Sequence, residues 1–143
     1  MKSKIQIIAV DDDLKFLDRL TSFIKEIPGC ELMACLKSGT DLLGIIGACR
    51  PDIILLEIEM PGISGLETAR IINSNHAEQK MVAMSIHQER VCLRQLIEVG
   101  FRGFINKANV SEELLHAVFC LSRNKQAFPK SGFQCEKGIS GLK

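Results

Sequence analysis

Acidic, hydroxyl and lysine side chains stand at the ends of several apolar runs in this chain. Asp11 and Asp12 follow IQIIAV, Glu57 ends IILLE, Ser85 ends MVAMS, and Lys107 follows FRGFIN. Carboxylates a few ångströms apart repel one another and need protons, a cation or a lysine to coexist. An all-oxygen hollow of this kind suits Mg²⁺, and a serine beside a lysine suits a phosphoryl group or another small anion. The residue types therefore predict a charged, anion-binding pocket, provided that the fold brings them together.

Five apolar runs are predicted to form the β-strands that carry these side chains. The runs lie at Ile5–Val10, Cys30–Leu36, Ile53–Leu56, Met81–Ser85 and Phe101–Asn106. The central run is continuous in isoleucine and leucine and is bounded by Pro51 and Pro61, which is typical of a strand covered on both faces of a parallel sheet. Glu57 then falls where this strand runs out into a loop.

A helix is predicted after each strand, because apolar residues recur there at spacings of three and four. Asp13 is placed to cap the first of these helices. Ser64 and Glu67 form the S-x-x-E pattern of a capping box at the start of the third. Gly100 ends the fourth, as a glycine in the position after a helix commonly does.

Strands and helices that alternate through short connections predict an α/β fold with a five-stranded parallel sheet and right-handed crossovers. We expect the flavodoxin-like strand order 2-1-3-4-5, with five flanking helices. In that order the first and third strands are neighbours at the topological switch point, where ligands bind at the carboxyl ends of strands. Asp11, Asp12 and Glu57 should therefore converge.

Length and composition place the chain among single-domain globular proteins. It has 143 residues, 46% of them hydrophobic and 24% charged, with a formal net charge of +1. Bulk charge gives no argument for a nucleic-acid surface, and no apolar run approaches the roughly 20 residues of a membrane span. We expect a cytoplasmic protein with one domain over residues 1–124 and a linker or flexible tail over residues 125–143, where the sequence becomes polar and rich in Lys, Gly and Ser.

The six cysteines contain no C-x-x-C pair. They are Cys30, Cys35, Cys49, Cys92, Cys120 and Cys135. Most of them lie inside apolar segments, so we expect free, buried thiols rather than zinc ligands or disulfides.

Four stretches together resemble the receiver domain of two-component response regulators. They are VDDD after the first strand, PDIILLEIEMPGISGLE around the third, MSIH at the fourth and GFINK at the fifth. The likeness covers residues 4 to about 122, and the number of matching pieces at the right spacing makes it specific. The segment VCLRQLIEVGFRGFINKANVSEELLHAV is similar in detail to receivers of the LuxR/NarL-type class.

The resemblance implies roles for the strand-end residues. Mg²⁺ would be held by Asp11, Asp12, Glu57 and the backbone carbonyl of Glu59. Glu57 stands at the position that accepts phosphate from a histidine kinase. Ser85 and Lys107 would bind the phosphoryl oxygens, and Phe104 takes the place of the aromatic residue that swings inward on activation.

Glu57 is the main departure from the family pattern, which has aspartate at the phosphoacceptor position. Glutamate carries its carboxylate about 1.5 Å further out, one carbon–carbon bond. Because phosphoryl transfer needs an in-line approach, a displacement of about 1 Å can lower the rate on the order of 10²-fold. We therefore expect weak or absent phosphorylation at Glu57 and a partial imitation of the phosphorylated state.

The resemblance also implies partners and leaves alternatives open. A histidine kinase or phosphotransfer protein, now vestigial if Glu57 does not react, would act upstream. A downstream effector or the protein's own output domain would act after it, and a homodimer through the last helix would be typical. We expect neither membrane association nor direct nucleic-acid binding by this domain.

One alternative is the regulatory part of a transcription regulator whose helix-turn-helix domain is missing from this chain. The other, less favoured, is a Mg²⁺-dependent phosphohydrolase with an acid nucleophile; the preferred interpretation is not an enzyme.

Overall fold

Strands and helices alternate through the described part of the chain, residues 4–135 of this computed structural model. The strands are β1 (Ile5–Val10), β2 (Cys30–Leu36), β3 (Ile53–Glu57), β4 (Lys80–Ser85) and β5 (Gly103–Asn106). The α-helices are α1 (Leu14–Lys25), α2 (Gly39–Ile45), α3 (Gly65–Asn75), α4 (Leu93–Glu98) and α5 (Val110–Ser122). Short 3₁₀ turns lie at Gln88–Arg90 and Lys107–Asn109.

The five strands form one parallel sheet in the order β2-β1-β3-β4-β5. The predicted fold and strand order are confirmed. The first and third strands are neighbours, with Val10 paired to Leu56. The residues that follow these two positions, Asp11 and Glu57, consequently leave the sheet side by side.

Each face of the sheet has its own apolar layer, because successive strand residues point to opposite sides. Ile7 and Ala9 pack with α1 and α5, whereas Ile8 and Val10 pack with α2, α3 and α4. Every residue of β3 is buried. This explains why its sequence is a continuous apolar run without alternation.

The predicted helix starts are confirmed at two positions. The Asp13 carboxylate accepts the backbone N–H of Phe16 at 3.2 Å, and the Ser64 hydroxyl accepts that of Glu67 at 3.1 Å. Strand β5 is shorter than predicted and begins at Gly103. Gly100 has a positive φ of 107°, and the chain needs the next two residues to return from the end of α4 to the sheet.

Residues 125–135, called the C-terminal segment below, pack against the sheet. Ala127 forms a parallel bridge with Gly103 on the outer edge of β5, and Phe133 is buried. The division of the chain at residue 124 stays a prediction, and residues 136–143 lie outside the described range. Within residues 4–135 no helix has the length and apolar character needed to cross a bilayer.

The expectation that all six cysteines are free is wrong for two of them. Cys92, at the start of α4, forms a disulfide with Cys135 in the C-terminal segment, and their Cα atoms are 4.7 Å apart. The other four are free, and Cys30 alone of these is fully buried. Sequence spacing gave no sign of the pair, because packing of the segment brings together residues 43 positions apart.

Candidate functional site

Three side chains form a buried cluster at the carboxyl edge of the sheet. Lys107 Nζ lies 2.7 Å from Glu57 Oε1 and 2.7 Å from Asp11 Oδ2. The contact with Glu57 is a hydrogen bond; the contact with Asp11 has ion-pair distance but falls outside hydrogen-bond geometry. We call Asp11, Glu57 and Lys107 the acid–lysine cluster. It holds two carboxylates and one ammonium group, so a net negative charge remains when all three are ionised.

Each member is positioned by the end of a strand. Asp11 follows β1, Glu57 is the last residue of β3, and Lys107 begins the turn after β5. Helix α3 then approaches the β3 end closely at Gly65, where an added Cβ would overlap the carbonyl oxygen of Glu57. Glycine at this position lets the helix pack on the backbone that carries the acid.

Backbone groups hold the remaining carboxylate oxygens. The N–H of Asp13 donates to Asp11 Oδ1 at 2.9 Å, and the N–H of Glu59 donates to Glu57 Oε2 at 2.9 Å. Both oxygens of Glu57 are therefore engaged, one by Lys107 and one by the following loop.

Burial dominates the electrostatics of the cluster. Desolvation raises the pKa of Asp11 and of Glu57, and the close ammonium group of Lys107 together with the backbone N–H donors offsets this only in part. Burial alone lowers the pKa of Lys107, but the two carboxylates outweigh it and the pKa is raised. The lysine is therefore charged at neutral pH, and its charge is what stabilises the two acids.

The other side chains predicted for the site make no hydrogen bond or ion pair with the acid–lysine cluster among the contacts of the described residues. Ser85 is buried, and its hydroxyl accepts the N–H of His87 at 2.9 Å. Asp12 is exposed to solvent. Phe104 is buried and packs edge-on against Phe133, with ring centroids 5.1 Å apart. Their predicted roles in phosphoryl binding, metal binding and switching stay predictions.

The predicted Mg²⁺ ligands have suitable oxygen chemistry but do not form a ready metal site. Across residues 4–135 no group of three or more His, Cys, Asp or Glu side chains is placed to hold a metal ion. The carboxylates of Asp11 and Glu57 face the same ammonium group. The four-ligand set with Asp12 and the Glu59 carbonyl stays a prediction.

Sequence reasoning missed the residues that surround Lys107. Its ammonium lies 4.4 Å from the centroid of the Phe16 ring, in cation–π contact. Asn106, the preceding residue, donates from Nδ2 to Gln88 Oε1 at 3.1 Å. Phe16 was identifiable as part of the apolar stripe of α1, but its closeness to a charge was not. An open cavity of about 390 Å³ borders Phe16 and Lys107 and also contacts the basic residues Lys15 and Arg19.

The parallel sheet and the strand-end acid–lysine cluster define a receiver-type α/β domain. Residues 7–119 match the family model described as the response regulator receiver domain. The chain belongs to this family of two-component signalling proteins.

Curated relatives agree with this assignment. The response regulator GacA of Pseudomonas viridiflava is 28% identical over 114 residues, a match that covers 80% of this chain and 53% of the relative. The transcriptional regulatory protein DegU of Brevibacillus brevis is 26% identical over 117 residues, covering 82% and 50%. The chain thus spans about half the length of the curated relatives it matches.

Solved structures show the same fold. A LuxR-family two-component response regulator from Aurantimonas sp. SI85-9A1 superposes with a TM-score of 0.86 at 21% identity, over 99% of this chain and 100% of that one. The isolated receiver domain of RcsB from Salmonella enterica serovar Typhimurium gives a TM-score of 0.82 at 16% identity, over 91% and 96%. The resemblance to LuxR/NarL-type receivers is confirmed.

Proposed function

We propose that this receiver signals from a state set by a permanent Glu57–Lys107 ion pair, with phosphorylation weak or absent. The observation that carries the proposal is the 2.7 Å contact between Lys107 Nζ and Glu57 Oε1 inside the buried cluster. Lys107 is the residue that the family resemblance assigns to phosphoryl oxygens. Here it already has a carboxylate partner.

Glu57 is a poor nucleophile in this arrangement for two reasons. Its two oxygens are held by Lys107 and by the Glu59 N–H, which fixes the orientation of the carboxylate and lowers the electron density available for attack on a phosphoryl donor. The longer side chain also displaces the carboxylate from the place an aspartate would occupy. A misplacement of about 1 Å is worth on the order of 10²-fold in rate.

The ion pair imitates phosphorylation incompletely. Glu57 supplies one negative charge to Lys107, whereas a phosphoryl group carries about −1.5 to −2. A two-state receiver would therefore be biased toward the active conformation and not driven fully into it.

The output of such a receiver is contact with another protein. We propose that α4, β5 and α5 form the surface that meets a downstream effector or an output domain of the same protein, and that a histidine kinase or phosphotransfer protein acts upstream, if one acts at all. One curated relative is named a transcriptional regulatory protein, and regulation of transcription stays an alternative to this proposal. A cytoplasmic location and the absence of enzymatic activity stay predictions.

The test is reaction with acetyl phosphate and Mg²⁺, followed at once by intact-mass measurement. We expect no adduct on the wild-type chain and a gain of about 80 Da, one phosphoryl group, on Glu57→Asp. Glu59→Asp is the matched control, because it shortens a neighbouring acid by the same carbon atom and should stay unmodified.

A stoichiometric adduct on wild-type Glu57 would overturn the proposal. Failure of Glu57→Asp to react would show that the pocket does not support phosphoryl transfer with either acid. Modification of wild type and Glu59→Asp to the same extent would place the reactive group elsewhere.

A further inference from the structure

The C-terminal segment covers the part of the receiver that the proposed function uses for output. It leaves α5 through Asn124, the one non-glycine residue with positive φ in the described range, and runs along the outer edge of β5. The Ala127 N–H donates to the Arg102 carbonyl at 2.9 Å, and the Phe104 N–H donates to the Ala127 carbonyl at 3.1 Å. The segment therefore satisfies backbone groups that an edge strand would otherwise expose.

The segment then crosses from one face of the sheet to the other. Ala127 packs in the apolar layer of α1 and α5, whereas Phe128 and Phe133 pack in the layer of α2, α3 and α4. Phe133 meets Phe104 edge-to-face at 5.1 Å. An aromatic residue on β5 is thus enclosed by the chain's own tail.

Two polar contacts hold the segment against the 3₁₀ turn that precedes α4. The Gln134 N–H donates to the Val91 carbonyl at 2.8 Å. Gln88 Nε2 donates to the Ser131 carbonyl at 2.8 Å. Gly132 has a φ of 101°, and an added Cβ would come within 2.7 Å of Gln88 Nε2. The positive φ favours glycine at this position.

Gln88 also connects the segment to the acid–lysine cluster. Its Oε1 accepts a hydrogen bond from Asn106, and Asn106 directly precedes Lys107. One side chain therefore contacts both the C-terminal segment and the strand end that presents the lysine.

A disulfide at the last described residue attaches the C-terminal segment covalently to the start of α4. Cys135 forms a disulfide with Cys92, the residue before α4. We propose that the C-terminal segment is a thiol-controlled clasp over β5 and the start of α4, closed by oxidation of Cys92 and Cys135 and opened by their reduction. The effect on partner binding rests on the proposed function; the clasp itself does not.

The chemistry needs a disulfide as oxidant, such as oxidised glutathione. The Cys135 thiolate attacks one sulfur of that disulfide, forms a mixed disulfide and releases one thiolate. The Cys92 thiolate then attacks Cys135 Sγ, forms the intrachain bond and releases the second thiolate. The two protein thiols lose two electrons and two protons in total, and excess dithiol reverses both exchanges.

The test compares the full chain treated with oxidised glutathione and with dithiothreitol. After oxidation and alkylation, non-reducing peptide mapping should find Cys92 linked to Cys135 and the other four cysteines alkylated. Hydrogen exchange at the amides of Phe104, Ala127 and Gln134 should be at least about tenfold slower in the oxidised protein, because tethering removes most open conformations.

Two variants separate the clasp from general effects of oxidation. In Cys135→Ser, the amide hydrogens of these residues should exchange as fast as in the dithiothreitol-treated wild type, whether or not oxidised glutathione is added. Cys35→Ser, which removes a free exposed thiol, should keep the full redox difference. Phe133→Ala should speed exchange at the same amides in reducing buffer without altering any cysteine.

Alkylation of both Cys92 and Cys135 after oxidation, or equal exchange at these amides in the two redox states, would overturn the clasp. Neither result depends on whether Glu57 accepts a phosphoryl group. A failure of the clasp is therefore distinguishable from a failure of the proposed function.

Discussion

The two ends of β5 are held by different kinds of force. At its start, Gly103 and Phe104 are bound by the C-terminal segment through a backbone bridge and an aromatic contact. Just beyond its end, Lys107 is bound by two buried carboxylates. The first interaction depends on apolar burial and thiol redox state, whereas the second depends on charge and pH. A single strand thus lies between two sites that respond to different conditions, with Gln88 and Asn106 connecting them.

The largest expected effect is at the charged end. Lys107→Met keeps an unbranched side chain one atom shorter but leaves Asp11 and Glu57 without their cation. Breaking a buried ion pair by removing one partner costs about 3–5 kcal/mol, so we expect a loss of that order in the free energy of unfolding at pH 7. Urea unfolding followed by far-ultraviolet circular dichroism would measure it, because the chain has neither Trp nor Tyr as a fluorescent probe.

Lys80→Met is the control for this prediction. Lys80 Nζ donates to the Leu121 carbonyl at 2.8 Å, and a hydrogen bond with a charged donor contributes about 1.5–3 kcal/mol. Similar losses in the two variants would contradict the view that charge compensation at the cluster dominates.

A smaller effect is expected at the apolar end of the strand. Phe133→Ala removes the ring that encloses Phe104, and burial of such a side chain is worth about 1.5–3 kcal/mol. We expect a loss in this range in reducing buffer, measured by the same urea unfolding. Phe119→Ala, on the exposed face of α5, should lose less than about 1 kcal/mol. Equal losses in Phe133→Ala and Phe119→Ala would contradict the view that apolar packing of Phe133 stabilises the start of β5.

The smallest effect is the pH dependence that separates the two ends. The raised pKa values of Asp11 and Glu57 mean that the folded chain binds more protons than the unfolded chain above their ordinary values of 3.8 and 4.5. Their contribution to the free energy of unfolding therefore falls as pH rises from these values through the folded-state pKa values. The pKa of Lys107 is also raised in the folded chain. Its contribution to the free energy of unfolding is therefore complete below its ordinary pKa of 10.5 and is lost as pH rises above that value.

Glu57→Gln should remove part of this dependence. Between about pH 4 and 7 we expect the wild type to lose stability relative to Glu57→Gln as pH rises, because the substituted side chain does not titrate. The exposed Glu112→Gln should follow the wild-type curve, and so should Phe133→Ala after a constant offset. A wild-type curve parallel to that of Glu57→Gln would contradict the assigned pKa directions.

Local sequence patterns were sufficient to predict the fold. The apolar run at β3, the caps at Asp13 and Ser64, and the glycine after α4 all depend on residues within a few positions of one another. The strand order 2-1-3-4-5, expected as one of the common orders of such sheets, placed Asp11 beside Glu57 correctly. The start of β5 was less predictable, because Phe101 is buried in the core although it lies outside the strand.

The sequence by itself determined the α/β architecture and which strand-end residues could meet, because hydrophobic periodicity and turn chemistry act over short distances. Tertiary structure alone decided how those residues interact. Glu57 and Lys107 are 50 positions apart, and only the packed sheet brings the lysine to 2.7 Å from both acids. The same holds for the contacts of the C-terminal segment, whose polar composition predicted a linker or flexible tail. Its few apolar residues, Ala127, Phe128 and Phe133, pack against the sheet. They can do so because β5 is an edge strand that carries Phe104, and local sequence patterns do not predict this contact.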